Sequence, residues 1–137
     1  MSKYTELKEV KFQAKMSEVL ERNKVFFAFS ELQLVEGLAT INEKRENVTS
    51  LGSGAILPKE NVTKYLDEML EISGWFNNEV KKLNVNEVIR YELNNYECYY
   101  TGDIEDAMGV LKNYGLTREQ VSTVFHNKKA VINWSQI

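Results

Sequence analysis

Val25-Phe26-Phe27-Ala28-Phe29-Ser30-Glu31-Leu32-Gln33 contains the change of period that decides the fold. The run from Val25 to Phe29 is too brief for a core helix and rich in residues that suit a pleated surface, so it predicts a central strand. Ser30 and Gln33 then form an S-x-x-Q capping box, in which the serine oxygen accepts an orphan amide and the glutamine reaches back to the cap. A strand that feeds directly into a helix gives an α+β chain.

Upstream, Leu7, Val10 and Ala14 and then Phe12, Met16, Val19 and Leu20 recur at helical intervals, predicting one amphipathic helix over about 4–22 that ends near Asn23. Downstream, Leu32, Val35, Leu38 and Ala39 give the capped helix an apolar stripe, and the charged run Glu43–Asn47 reads as a solvated turn. The run from Val48 to Leu57 is strand-like. Gly52 and Gly54 interrupt it, which marks a bulge or a close backbone approach, and Pro58 closes it.

The longest helix spans about 59–83, where Val62, Tyr65, Leu66, Met69, Ile72, Phe76, Val80 and Leu83 fall on one side at roughly 100° per residue. Asn84 with Glu87 opens a further helix through about Glu97. Gly102-Asp103 turns into a short helix carrying Ile104, Ala107, Met108 and Leu111, stopped at Gly115. Thr117 with Gln120 caps the last helix, with Leu116 and Val121 at hydrophobic-staple positions. The expected fold class is α+β: a helix-rich single domain over 1–137 with a small two- or three-stranded sheet.

Composition narrows the function. Hydrophobic residues at 43% and charged residues at 27% are the balance of a folded chain rather than a disordered one. A formal net charge of −3 gives no electrostatic footprint for a phosphate backbone, so direct nucleic-acid binding is not expected. No stretch approaches the roughly 20 apolar residues that span a membrane, and the N-terminus is polar from the start, so the expected location is the cytoplasm.

Catalytic residue types are scarce. His126 is the only histidine and Cys98 the only cysteine, so those residues form no metal cage within one chain, and no cofactor and no enzyme activity are expected. A Cys98–His126 nucleophilic pair would need the fold to unite the two; a half-buried thiol and a surface imidazole is the plainer reading. Gly52-Ser53-Gly54 lacks the lysine and following Ser/Thr of a P-loop, and reads as a bulge or turn.

Two positions break the amphipathic pattern. On a helical wheel of 84–97, Val85, Val88, Ile89, Leu93 and Tyr96 share one face, and Glu92 lies inside it. A carboxylate there needs a lysine, an arginine or a helix terminus as partner, or else lines a pocket. Trp75 lies roughly 120–140° from the centre of the long helix's apolar face, so it is expected to be partly exposed, either covered by a neighbouring element or serving as an interface anchor.

Three segments together resemble a family of small proteins from phages and mobile elements that includes a type II-A anti-CRISPR, an inhibitor of Cas9. They are Phe26–Ser30 with Gln33 and Glu36-Gly37; Leu51–Gly54 leading to Lys59; and Arg90-Tyr91-Glu92-Leu93-Asn94-Asn95-Tyr96-Glu97, continuing into Tyr99–Asp103 and Glu105-Asp106. The likeness runs from about 25 to 121; it departs at Tyr96, where the family shows histidine. It implies an anti-defence protein that acts by stoichiometric binding, with a Cas9-type nuclease as the favoured partner. The acids Glu97, Asp103, Glu105 and Asp106 would then meet a Lys/Arg-lined surface. The alternative is a sponge for a nucleotide immune signal, in which Tyr96, Tyr99 and Tyr100 stack a base and Arg90 or Lys59 neutralises phosphate. Asn95 belongs to the same contact stretch, and a homodimer is left open.

Overall fold

The computed structural model describes residues 1–127 and 129–134. Its N-terminal half runs through α1 (Lys3–Thr5), a π-helical stretch (Glu6–Lys11), α2 (Phe12–Arg22), β1 (Phe26–Phe27), α3 (Glu31–Ile41), β2 (Val48–Gly52) and β3 (Ala55–Pro58). There follow α4 (Val62–Val80), α5 (Val85–Asn95), α6 (Cys98–Thr101), α7 (Glu105–Leu111) and α8 (Arg118–His126). Helix dominates and the sheet is three-stranded and antiparallel, so the class is helix-rich α+β. The backbone clusters into two compact units, Met1–Lys11 with Gly74–Ile137, and Phe12–Ser73.

In the unit 12–73 the strand order is β1-β3-β2, which makes β3 central and β1 an edge. This corrects the expectation of a central strand at Val25–Phe29. Only Phe26 and Phe27 pair, with Ile56 and Ala55, before the chain turns into the Ser30 cap. Phe29 is left 75% exposed. The run Val48–Leu57 is also not one strand but a hairpin. Gly52, Ser53 and Gly54 all take positive φ and reverse the chain, and the register slips by a bulge between Ser50 and Gly52.

The Ser30 cap forms as expected: its Oγ accepts from Gln33 N at 3.2 Å, while Gln33 Oε1 accepts from Phe29 N at 2.7 Å, one residue before the cap. The stripe turned inward is not the one expected. Leu38 is buried with Leu34 and Ile41 half-buried beside it, whereas Leu32, Val35 and Ala39 are exposed. The sequence of α3 is apolar on nearly every side, so periodicity leaves the inward face open. Gly37 decides it. A Cβ there would lie 2.2 Å from the Phe26 ring, so only glycine lets α3 close on β1, and that approach turns Leu34, Leu38 and Ile41 inward.

In the unit formed by 1–11 and 74–137, the core gathers Val80, Val88, Ile89, Leu93, Ala107, Leu111, Val121 and Val124. Asn84 caps α5 by accepting from Asn86 N and Glu87 N, and Thr117 with Gln120 completes a reciprocal capping box on α8. The helix expected over 4–22 is interrupted by the π-helical stretch. Each π turn holds about one residue more than an α turn, and of the first expected series only Leu7 is buried, Val10 and Ala14 being exposed. Tyr4 and Leu7 are buried before or within it, and Phe12, Met16 and Val19 turn inward after it.

Candidate functional site

Glu92 sits on the buried face of α5 with its side chain wholly out of solvent. Its Oε2 accepts from Tyr4 Oη at 2.7 Å and from Lys8 Nζ at 2.6 Å, while Oε1 accepts from Asn95 Nδ2 at 3.3 Å. The partner demanded by the sequence pattern is therefore a lysine, supported by a phenol and an amide. Tyr4 Oη lies 2.8 Å from Tyr114 Oη. Tyr4 has one proton and gives it to Glu92 Oε2, so Tyr114 donates to Tyr4.

Burial is the first cause that raises both phenols. It pushes Tyr114 up to about 12, and Tyr4 rises further, the Glu92 carboxylate that accepts its proton adding to the effect. Tyr91 packs edge-on against Tyr4 with ring centroids 5.1 Å apart and donates to Glu9, which raises it to about 12. Lys8 Nζ lies 5.8 and 5.4 Å from the Tyr4 and Tyr91 ring centroids, within cation–π range. A carboxylate so filled by donors holds the N-terminal segment to α5, which is structural work.

The other sequence candidates lie on the outer surface of α5 to α8. Asn95 ends α5 and Tyr96 caps it, while Glu97 precedes α6 in the left-handed region at φ 54. Tyr100 is 91% exposed, whereas Tyr99 stacks on Phe125 with centroids 5.2 Å apart. Asp103 Oδ1 accepts from Glu105 N at 2.8 Å. Arg118 grips Glu105 through both terminal nitrogens and holds its carboxyl below the usual range. Asp103, Glu105, Arg118, Ser122, Phe125 and His126 line an open cleft of about 280 Å³. Cys98 is buried, and burial pushes its thiol up, away from the reactive thiolate. Trp75 is half-exposed on α4. Lys59 and the glycine turn fall in the unit 12–73.

One arrangement was not read from the sequence. The carboxamide of Asn86 closes on the main chain of a single residue, donating to Ile132 O at 3.1 Å and accepting from Ile132 N at 3.2 Å. Arg90 Nη2 donates to Ala130 O at 3.3 Å, and Trp134 Nε1 donates to Leu83 O at 2.7 Å. Nothing local in the sequence marks these pairs, because their members are 40 or more positions apart.

A family description matches residues 8–136. The chain belongs to DUF7659, a family of unknown function. The matched span of this DUF7659 protein includes Lys8, Asn86, Glu92 and Ile132, and begins after Tyr4. No curated protein and no solved structure matches the chain. Among the described residues, no helix is long and apolar enough to cross a membrane.

Proposed function

We propose that this DUF7659 protein works by occupying a partner, and that the partner is a host defence nuclease of Cas9 type, whose basic nucleic-acid-receiving surface it covers. The observation that carries the reading is the outer surface of residues 97–106, where Glu97, Asp103 and Asp106 are exposed beside the outward-pointing Tyr100. Arg118 pairs with Glu105. Carboxylates flanking an aromatic complement a Lys/Arg-lined groove in charge, and the aromatic supplies an anchor. The likeness over about 25–121 to proteins of phages and mobile elements supports the choice of target.

The test is a cleavage assay in which guide-loaded Cas9 is titrated with the protein. Inhibition is expected to be complete at a fixed molar ratio and to weaken as salt rises, since the screening length is already about 8 Å at 0.15 M ionic strength. Glu97→Lys with Asp106→Lys is expected to weaken inhibition at least about tenfold. Intact release of a bound cyclic nucleotide on denaturation, with no effect on Cas9, would replace this reading by the nucleotide sponge. Progressive consumption of a nucleotide by sub-stoichiometric protein would sink occupancy altogether.

A further inference from the structure

The segment Ala130–Trp134 lies against the start of α5 as a peptide lies in a binding groove. Its residues alternate: Ala130, Ile132 and Trp134 are half-buried, while Asn133 is exposed and Val131 is 74% exposed. Over Ala130–Asn133, which form neither helix nor strand, that alternation docks one face of the segment. Three hydrogen-bonded anchors hold it, and most of them address its main chain. The Asn86 carboxamide satisfies both the N–H and the C=O of Ile132, and Arg90 satisfies the carbonyl of Ala130. The Trp134 side chain is read as well, its Nε1 donating to the Leu83 carbonyl.

Main-chain bonds that give affinity, with pockets for alternate side chains that give specificity, are the pattern by which extended peptides are recognised. A side-chain amide suits the first task because it carries a donor and an acceptor side by side. The fit is also incomplete. A cavity of about 120 Å³ remains between Leu83–Asn86 and Val131–Trp134.

We infer that the Leu83–Arg90 surface is a peptide-binding groove, filled in cis by residues 130–134. Its ligand in trans is an extended peptide with an aliphatic residue and, two positions on, a tryptophan. The resident strap shows the chemistry that fits, and an incoming segment of that pattern displaces it. This groove is separate from residues 97–106 and does not depend on the proposed target. Because the strap competes at the high effective concentration of a tethered ligand, the unaltered chain binds such a peptide weakly.

The probe is a fluorescein-labelled hexapeptide, Lys-Ala-Val-Ile-Asn-Trp, followed by anisotropy against the full chain and against full-length Ile132→Pro/Trp134→Ala, whose strap has lost two anchors. The variant is expected to bind one peptide at least about tenfold more tightly than the unaltered chain. N-methylation of the peptide's isoleucine amide, which removes the proton that Asn86 Oδ1 accepts, is expected to cost about tenfold without touching the protein. Absence of saturable binding to a variant that keeps its circular dichroism would overturn the inference, as would binding indifferent to N-methylation. A second measurement covers a variant that loses its fold. In full-length Asn86→Ala, hydrogen exchange at the Ile132 amide is expected to quicken at least about tenfold while α5 keeps its protection; loss of both together would make the strap ordinary packing and end the proposal.

Discussion

Glu92 and Lys8 form an unequal pair, because the carboxylate is wholly buried while the lysine keeps 26% of its side-chain surface in water. The two halves of the pair therefore differ in what their removal leaves behind. Lys8→Met strands a buried carboxylate without its counter-charge and is expected to cost about 3–5 kcal/mol. Glu92→Ala leaves an ammonium that can turn to solvent and a Tyr4 hydroxyl without an acceptor, at about 1–3 kcal/mol. Urea denaturation of both variants checks the order, and a larger loss for Glu92→Ala would contradict the burial. The phenols add a pH dependence. Tyr114 and Tyr91 titrate near 12 in the folded chain and near 10 when unfolded, so the folded state holds its protons longer. Their contribution is full below about pH 10 and is lost as pH rises toward 12, by at most about 1.4 kcal/mol per pH unit for buried Tyr114 and by less for Tyr91, which solvent screens. Stability measured between pH 9 and 12 is expected to fall, with late tyrosinate absorbance; a flat profile would mean the phenols are solvated.

At the scale of elements, two helical glycines make opposite predictions. Gly74 on α4 has nothing within 4 Å of an added Cβ, so Gly74→Ala is expected to stabilise by about 0.5–1 kcal/mol through helix propensity. Gly37 on α3 would press a Cβ to 2.2 Å from the Phe26 ring, and Gly37→Ala is expected to destabilise by about 1–3 kcal/mol despite the same propensity gain. Thermal melts of the two single variants decide the matter. The same contrast explains what the sequence could disclose. Ser30, Asn84 and Thr117 mark helix starts through partners two or three residues away, so local reading finds them. Whether β1 is central or an edge depends on which strands pair with it, and Gly52-Ser53-Gly54 suits a bulge within one strand as well as a reversal between two. The need for a partner at Glu92 was legible from the wheel. Its identity was not, since Lys8 lies 84 positions away.

For the molecule as a whole, the net charge of −3 and the exposed carboxylates of 97–106 place any binding to a basic partner under ionic control. Trp75 belongs to the same question from a different helix. If the proposed reading holds, Trp75→Ala is expected to weaken inhibition of the nuclease while leaving the melting temperature unchanged. A drop in melting temperature would assign the indole to packing instead. The π-helical stretch Glu6–Lys11 carries a last consequence, about heredity rather than energy. It is in effect a stored insertion: losing one codon after Lys8 would restore an ordinary helical count and turn Tyr4 and Lys8 about 100° relative to Glu9, which Tyr91 holds, and so away from Glu92. Length drift here is thus tied to chemistry far along the gene. Family members one residue shorter in this stretch are expected to have exchanged the acid at the position of Glu92 for a neutral side chain.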